Sequence, residues 1–135
     1  MYVLDSDCFI DYLAGSREYH RDAVSFIEEH RNDSLGAPTP VLYELARHEA
    51  RTEYGPTVDE LLGALEWAEP LPLTVDAIRD AAFIDAELLD RGDRIPQFDV
   101  LVAGIARSVT GTLVTRDDHY ARIEGLDVRP YATDR

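Results

Sequence analysis

Four acidic side chains have the type and placement needed to hold a divalent cation: Asp5, Glu44, Asp99 and Asp117. Each stands in or beside an apolar segment. Carboxylates that share one pocket repel each other and raise one another's pKa values. A cation such as Mg²⁺ or Mn²⁺, which prefers oxygen ligands, relieves that repulsion. Beside a phosphodiester, such a cation also polarises a phosphoryl oxygen and activates a water for hydrolysis.

The composition fits this chemistry and excludes several other kinds of site. Cys8 is the only cysteine, so the chain can form neither an internal disulfide nor a cysteine zinc cluster. His119 is close to Asp117 in sequence, but a single histidine beside an acid is usually solvated, and we do not expect it to be catalytic. No apolar run approaches the ~18 residues that span a bilayer, and the first residues do not resemble a secretory signal. The expected location is the cytoplasm, with no membrane attachment.

The charge balance is strongly acidic, with 27 Asp and Glu against 13 basic residues and a net charge of −14. All the basic residues are Arg. High salt would screen this self-repulsion, because the Debye length falls to about 3 Å near 1 M, and the composition therefore suggests a halophilic cytoplasm. Any contact with RNA must rely on bound cations or on local arginines, because affinity for phosphate rests on positive charge. The candidates nearest to the acids in sequence are Arg47, Arg51, Arg94 and Arg116.

The elements that must position the acids alternate between strands and helices. Short apolar runs predict strands over 2–4, 35–39, 70–73, 111–115 and 127–131. Helical periodicity and caps predict helices over 8–15, 17–31, from 40, over 57–67, 74–90 and 96–109. This alternation predicts an α/β fold, a three-layer α/β/α sandwich around a mainly parallel sheet, in which ligands bind beyond the carboxyl ends of the strands.

Local patterns predict some details of these helices. Ser6 and Asp7 can cap the first helix, and Thr57 with Glu60 three residues later forms a capping-box pattern. The helix over 74–90 is expected to bury one apolar face, formed by Ile78, Ala81, Ala82, Ile84, Ala86, Leu88 and Leu89.

The predicted elements bring the four acids to one rim of the sheet. Asp5 follows the first strand directly, and Asp117 follows the strand over 111–115. Asp99 lies in the first turn of a helix that is otherwise apolar, and Glu44 lies near the start of the helix that Pro40 opens. Because helix N-termini also point to this rim, all four carboxylates can converge there.

Each acid also has an ordinary structural explanation. Asp5 could cap the following helix, and Asp99 could be stabilised by the helix dipole. Glu44 could pair with a basic residue on a solvated helix face. Asp117 could lie in a surface turn, where Asp118 could also share its ligand role. The hypothesis of a metal site rests on the four acids together.

Four segments, taken in order, resemble the PIN domain family, and especially the VapC-type toxins of type II toxin–antitoxin pairs. They cover the chain from end to end. The segments are residues 3–7 (VLDSD), 40–46 (PVLYELA), 95–103 (IPQFDVLVA), and 113–117 (LVTRD) with 123–128 (IEGLDV).

This resemblance implies a single domain over residues 1–135, with Mg²⁺- or Mn²⁺-dependent endoribonuclease activity. It also implies a cognate antitoxin partner and frequently a homodimer. Asp5 and Asp99 would be the principal metal ligands, with Asp117 as a further ligand, and Asp7 is an additional carboxylate beside them. Glu44 would complete the site and orient the attacking water, and hydrogen bonds from Ser6 and Thr115 would support the ligands.

Two other functions compete with a ribonuclease. A PIN-like module that binds RNA or a protein without turnover would have the same fold, and the complete set of four acids argues against it. A phosphoacceptor receiver domain also uses acids at strand ends with Mg²⁺, but it needs a Lys after its last strand, and this chain contains no Lys.

Overall fold

The structure is a computed structural model that describes residues 1–52 and 57–132. It contains five strands: β1 (Tyr2–Leu4), β2 (Leu35–Pro38), β3 (Glu69–Leu71), β4 (Thr112–Val114) and β5 (Asp127–Arg129). The helices are α1 (Ser6–Leu13), α2 (His20–Glu29), α3 (Thr39–Ala50), α4 (Val58–Ala64), α5 (Val75–Asp90) and α6 (Gln97–Ser108), followed by a 3₁₀ turn over Asp118–Arg122. The predicted single domain spans residues 1–135, of which residues 53–56 and 133–135 lie outside the described part of the chain.

The five strands form one sheet in the order β3-β2-β1-β4-β5, and every neighbouring pair is parallel. Parallel strands require crossover connections, and these are almost always right-handed. The rule places α1 to α4 on one face of the sheet and α5 and α6 on the other, because the chain reverses direction across the sheet after β3. The predicted α/β/α sandwich is therefore confirmed.

The core lies on both faces of the two central strands. Val3 and Leu4 of β1 are fully buried, as are Leu113 and Val114 of β4. α6 is buried along most of its length, and at Gly104 a Cβ atom would lie 2.6 Å from the carbonyl oxygen of Ala77. Glycine at this position thus allows α6 to pack directly against the backbone of α5. Within the described ranges, no helix combines the length and apolar character that crossing a bilayer needs.

The buried face of α5 is narrower than predicted. Its buried residues are Ala77, Ala81, Ile84 and Leu88, a stripe with helical spacing that packs inward. Ile78 and Leu89, predicted to be buried, are 50% and 57% exposed. The prediction was wrong because it included apolar residues from several sides of α5 and left out Ala77, whereas the helix packs only along one stripe.

The helix starts also differ in part from the prediction. Asp5, rather than Ser6 or Asp7, is the N-cap residue of α1, and its side chain accepts a hydrogen bond from the Ser6 amide. The predicted cap at Thr57 is confirmed, since its hydroxyl accepts a hydrogen bond from the Glu60 amide at 3.2 Å. The helix predicted from residue 17 begins at His20.

Candidate active site

The topology creates a cleft where β1 and β4 lie side by side. From β1 the chain continues to β2 on one side of the sheet, and from β4 it continues to β5 on the other. The connections therefore diverge at the carboxyl ends of these two strands, which is where parallel α/β sheets bind their ligands. Asp5 follows β1 directly, and Asp117 follows β4 after two further residues.

All four predicted acids line this one cleft, although they come from different elements. Glu44 reaches it from α3, and Asp99 reaches it from the first turn of α6. Two prolines help to place these helices, because Pro40 lies in the first turn of α3 and Pro96 is the N-cap residue of α6. The cleft is also lined by Ser6, Asp7, Arg47, Pro96 and Phe98.

Asp5 is the most deeply buried of these acids, with 4% of its surface exposed. One carboxylate oxygen accepts a hydrogen bond from the Ser6 amide at 2.8 Å, and the other accepts one from the Thr115 hydroxyl at 3.0 Å. These bonds do not offset the cost of removing the charge from water. Burial, together with the negative charges of Asp7 and Asp99, raises the pKa of Asp5 to about 7.

Asp7 is a fifth acid in the cleft, and the sequence identified it only as a neighbour of the core set. Its Oδ2 atom accepts a hydrogen bond from the Arg116 amide at 3.0 Å and lies 3.2 Å from the Thr115 hydroxyl. Its Oδ1 atom is buried and has no hydrogen-bond partner in the described parts of the chain, and burial raises the pKa of this carboxyl as well. Thr115 also accepts a hydrogen bond from the Asp117 amide at 3.0 Å, so it connects β1, α1 and the segment after β4.

Asp99 and Glu44 affect each other across the cleft. Burial raises the pKa of Glu44, and the negative charge of Asp99 raises it further. Burial also raises the pKa of Asp99, with a contribution from Asp117, although hydrogen bonding to Tyr120 and the nearby His119 oppose the rise. Three elements therefore place mutually repelling carboxylates around one space.

His119 lies between two of the acids, and the expectation that it would be solvated was wrong. Its Nε2 atom is 2.8 Å from Asp99 Oδ2, and its Nδ1 atom is 3.0 Å from Asp117 Oδ1. The side chain is only 18% exposed, because the 3₁₀ turn after Asp117 folds back over the first turn of α6. Asp99, Asp117 and His119 also form a group whose ligand atoms all lie within 4.8 Å of one another. Asp118, by contrast, does not line the cleft.

The family model of the PIN domain matches residues 2–126 of the chain. The chain belongs to the PIN domain family. No curated protein matches it by sequence.

Solved structures share the whole fold of this PIN domain at low sequence identity. VapBC2 from Rickettsia felis, bound to a DNA fragment from its promoter, gives a TM-score of 0.85 at 19% identity, covering 96% of this chain and 97% of that one. DNA-bound VapBC from Salmonella typhimurium gives a TM-score of 0.81 at 20% identity, covering 97% of this chain and 98% of that one. FitAcB from Neisseria gonorrhoeae gives a TM-score of 0.81 at 19% identity, covering 95% of this chain and 96% of that one. These likenesses support the fold.

The donor atoms of this PIN domain fit a hard divalent cation. Five carboxylates line the cleft in the described part of the chain, and Arg47 is the one Lys or Arg residue among the lining side chains. Asp7 Oδ1, which has no hydrogen-bond partner among the described residues, and the raised pKa values of Asp5, Glu44 and Asp99 indicate that these residues compensate the negative charge only in part. Oxygen-rich sites of this kind suit Mg²⁺ or Mn²⁺.

A second buried acid holds one wall of the site in place. Asp11 of α1 is fully buried and accepts hydrogen bonds from Arg17 Nε at 2.7 Å, Arg116 Nε at 2.8 Å and the Tyr131 hydroxyl. Arg116 also lies over the ring of Tyr19, 4.4 Å from its centre. Because the amide of Arg116 contacts Asp7, this network fixes the segment that carries Thr115 and Asp117.

Proposed function

We propose that this PIN domain is a divalent-metal-dependent endoribonuclease, the toxin of a type II toxin–antitoxin pair, that hydrolyses phosphodiester bonds in RNA. The observation that carries the proposal is the convergence of five carboxylates at the carboxyl ends of β1 and β4, where the connections that leave these two strands diverge, with Arg47 as the one Lys or Arg among the described lining residues. Uncompensated acids in a cleft are costly for folding, and such arrangements are characteristic of functional sites.

The proposed roles follow from position and burial. Asp5, Asp99 and Asp117 would hold Mg²⁺ or Mn²⁺, and Glu44, which reaches the cleft from α3, would orient the attacking water. When bound, the cation supplies a Lewis acid that polarises the phosphoryl oxygen and makes water a better nucleophile. Thr115 would hold the carboxylate of Asp5 in a fixed orientation, as hydrogen-bond partners of metal ligands generally do.

The structural neighbours also support proposals about partners. Several of them are VapBC structures, and one of these, from Mycobacterium tuberculosis, is described as a member of the VapBC family of toxin–antitoxin systems, so we extend an antitoxin partner to this chain. The homodimer that the family resemblance implies stays a prediction. Ile78, Phe83 and Leu89 of α5 are 50%, 59% and 57% exposed, and exposed large apolar side chains favour a protein contact. A cytoplasmic location and a single domain over residues 1–135 remain predictions.

Cleavage of RNA by the purified protein tests the function. The wild type should cleave a mixed pool of cellular RNA in MgCl₂ or MnCl₂ and should not cleave it in EDTA. Asp99→Asn should cleave poorly, whereas Asp90→Asn, which changes an exposed acid on α5, should match the wild type. Metal-independent cleavage, or an Asp99→Asn variant as active as the wild type, would contradict the proposal.

The main alternative is a PIN-like module that binds RNA or protein without turnover. It predicts that the protein binds its partner but shows no metal-dependent cleavage. Calorimetric titration with MnCl₂ adds a readout that does not depend on activity. Heat of binding that is lost in Asp99→Asn supports the nuclease, whereas no detectable Mn²⁺ binding by the wild type favours the module.

The halophilic origin suggested by the composition is a separate proposal with its own test. A net charge of −14 on 135 residues should destabilise the folded state by self-repulsion. The melting temperature should therefore rise with KCl concentration as the charges are screened. A melting temperature that does not change between low salt and molar KCl would contradict this proposal.

A further inference from the structure

An aromatic pair lies on the rim of the acidic cleft. Tyr43 of α3 and Phe98 of α6 stack with their ring centres 6.2 Å apart and their planes 14° apart. Each ring directly precedes a cleft acid in sequence, since Glu44 follows Tyr43 and Asp99 follows Phe98. The same two helices therefore fix the aromatic pair and the acids relative to each other.

The pair presents an apolar surface with a cation beside it. Tyr43 is 57% exposed, while Phe98 is half-buried and lines the cleft. The guanidinium carbon of Arg47 lies 5.7 Å from the ring centre of Tyr43 and 5.9 Å from that of Phe98. Within the described residues, no carboxylate oxygen lies within ion-pair distance of Arg47, although its charge is near enough to Glu44 to oppose the rise in the pKa of that carboxyl. The guanidinium therefore has no direct ion pair that a phosphate would have to displace.

A groove lined by basic residues continues from this rim. It shares Glu44 and Arg47 with the acidic cleft, and it is also lined by Arg17, His48 and Arg51. Three of the 13 arginines thus line one groove in a protein whose net charge is −14. Arg17 is paired with Asp11, so Arg47 and Arg51 are the arginines of this groove without an ion pair among the described residues. Positive charge beside an aromatic surface is the combination that single-stranded nucleic acids bind, through phosphate contacts and base stacking.

We infer that Tyr43 and Phe98 form a stacking site for an unpaired base of single-stranded RNA, with Arg47 binding a phosphate next to that base. The inference rests on the proposed ribonuclease function and adds the residues that position the RNA beside the acids. Bases in a duplex are already stacked on their neighbours, so their faces cannot reach the pair, whereas splayed bases of single strands can. The aromatic pair would hold the chain so that the adjoining phosphodiester lies over the acids.

Steady-state cleavage and direct binding by single-residue variants test the inference. The substrate is a short single-stranded RNA of mixed sequence containing 2-aminopurine, and its binding is followed by fluorescence anisotropy. Tyr43→Ala should weaken binding and lower kcat/KM by roughly 5-fold or more, as expected for the loss of one base–aromatic stack, mainly through KM. Tyr43→Phe keeps the ring and should behave as the wild type.

Two controls make the result specific. Phe83→Ala removes an aromatic of similar exposure, 59%, from α5 and should leave cleavage unchanged. The same RNA annealed to its complement should show no dependence on Tyr43. The fluorescence of 2-aminopurine should be quenched on binding to the wild type and to Tyr43→Phe, but much less on binding to Tyr43→Ala.

The outcomes separate this inference from the function on which it rests. If the wild type cleaves RNA and Tyr43→Ala cleaves and binds it equally well, the stacking site is wrong and the nuclease stands. If the wild type binds RNA without cleaving it, the nuclease is wrong, and binding by the variants still decides the stacking site. Failure of the wild type to bind RNA would overturn both. Loss of antitoxin binding in Tyr43→Ala with unchanged RNA binding would assign the surface to a protein instead.

Discussion

Two aspartates of one short segment are both buried, yet their environments are opposite. Asp5 at the start of α1 is 4% exposed, and burial beside other acids raises its pKa to about 7. Asp11, less than two helical turns further on, is fully buried. Burial alone would raise the pKa of Asp11, but hydrogen bonds from Tyr131, Arg17 and Arg116 outweigh it and lower the pKa.

The difference lies in what each carboxylate contacts. Asp11 is surrounded by donors from the same protein, so its charge is compensated within the fold. Asp5 accepts hydrogen bonds from the Ser6 amide and the Thr115 hydroxyl but faces Asp7 and Asp99, and no cationic side chain among the described residues forms an ion pair with it. A buried acid that the fold satisfies is structural, whereas one left uncompensated in a cleft is a candidate for function.

The largest expected effect is the destabilisation caused by Asp11→Asn. The amide keeps the shape of the side chain but removes the charge that pairs with Arg17 and Arg116. Breaking a buried ion pair costs about 3–5 kcal/mol, and the partial exposure of both arginines places this site at about 3 kcal/mol. Urea unfolding measures the loss, and Asp90→Asn on α5 should change the free energy of unfolding by less than about 0.5 kcal/mol. Equal stability of the two variants would show that the network does not stabilise the fold.

Asp5→Asn should not destabilise the protein as Asp11→Asn does. Asn caps helices as well as Asp does, and removing one charge from the acidic cleft relieves repulsion. The metal-free Asp5→Asn variant should therefore be as stable as the wild type or more stable. RNA cleavage should fall by at least about 100-fold, because mutating even a hydrogen-bond partner of a metal ligand lowers metal affinity or activity by about 10–100-fold. Expression of the variant in cells should no longer inhibit growth. Full activity in this variant would remove Asp5 from the proposed site.

The sequence predicted the parts of the site that depend on simple rules. Asp5 and Asp117 were placed together because carboxyl ends of parallel strands share one edge, and Asp99 because helix starts point to the same edge. His119 could not be placed this way, since its contact with Asp99 depends on how the 3₁₀ turn packs against α6. The hydrogen bond from the Tyr131 hydroxyl to Asp11 joins residues 120 positions apart, and no local sequence pattern predicts it.

Thr115 tests whether the hydrogen bonds around Asp5 affect catalysis rather than folding. Its hydroxyl lies within 3.2 Å of both Asp5 Oδ2 and Asp7 Oδ2, and it accepts a hydrogen bond from the Asp117 amide. Thr115→Val keeps the shape of the side chain but removes these bonds, and it should lower cleavage by about 10–100-fold with a smaller change in stability. Thr115→Ser should restore most of the activity. If Thr115→Ser is as impaired as Thr115→Val, packing of the methyl group matters rather than the hydroxyl.

Asp5 and Asp11 should affect the stability of the protein in different pH ranges. Between about pH 4 and pH 7 the folded protein keeps a proton on Asp5 that the unfolded chain releases, so stability falls as the pH rises. For Asp11 the sign is reversed: its lowered pKa contributes stability above about pH 4 that is lost at lower pH. Urea unfolding in EDTA should show that Asp5→Asn flattens the curve between pH 4 and 7, by at most about 1.4 kcal/mol per pH unit, since one proton is involved. Asp11→Asn should change the curve only on the acid side. Curves of wild type and Asp5→Asn that run parallel from pH 4 to 7 would show that Asp5 is not protonated in the folded state, and the contrast between the two aspartates would be lost.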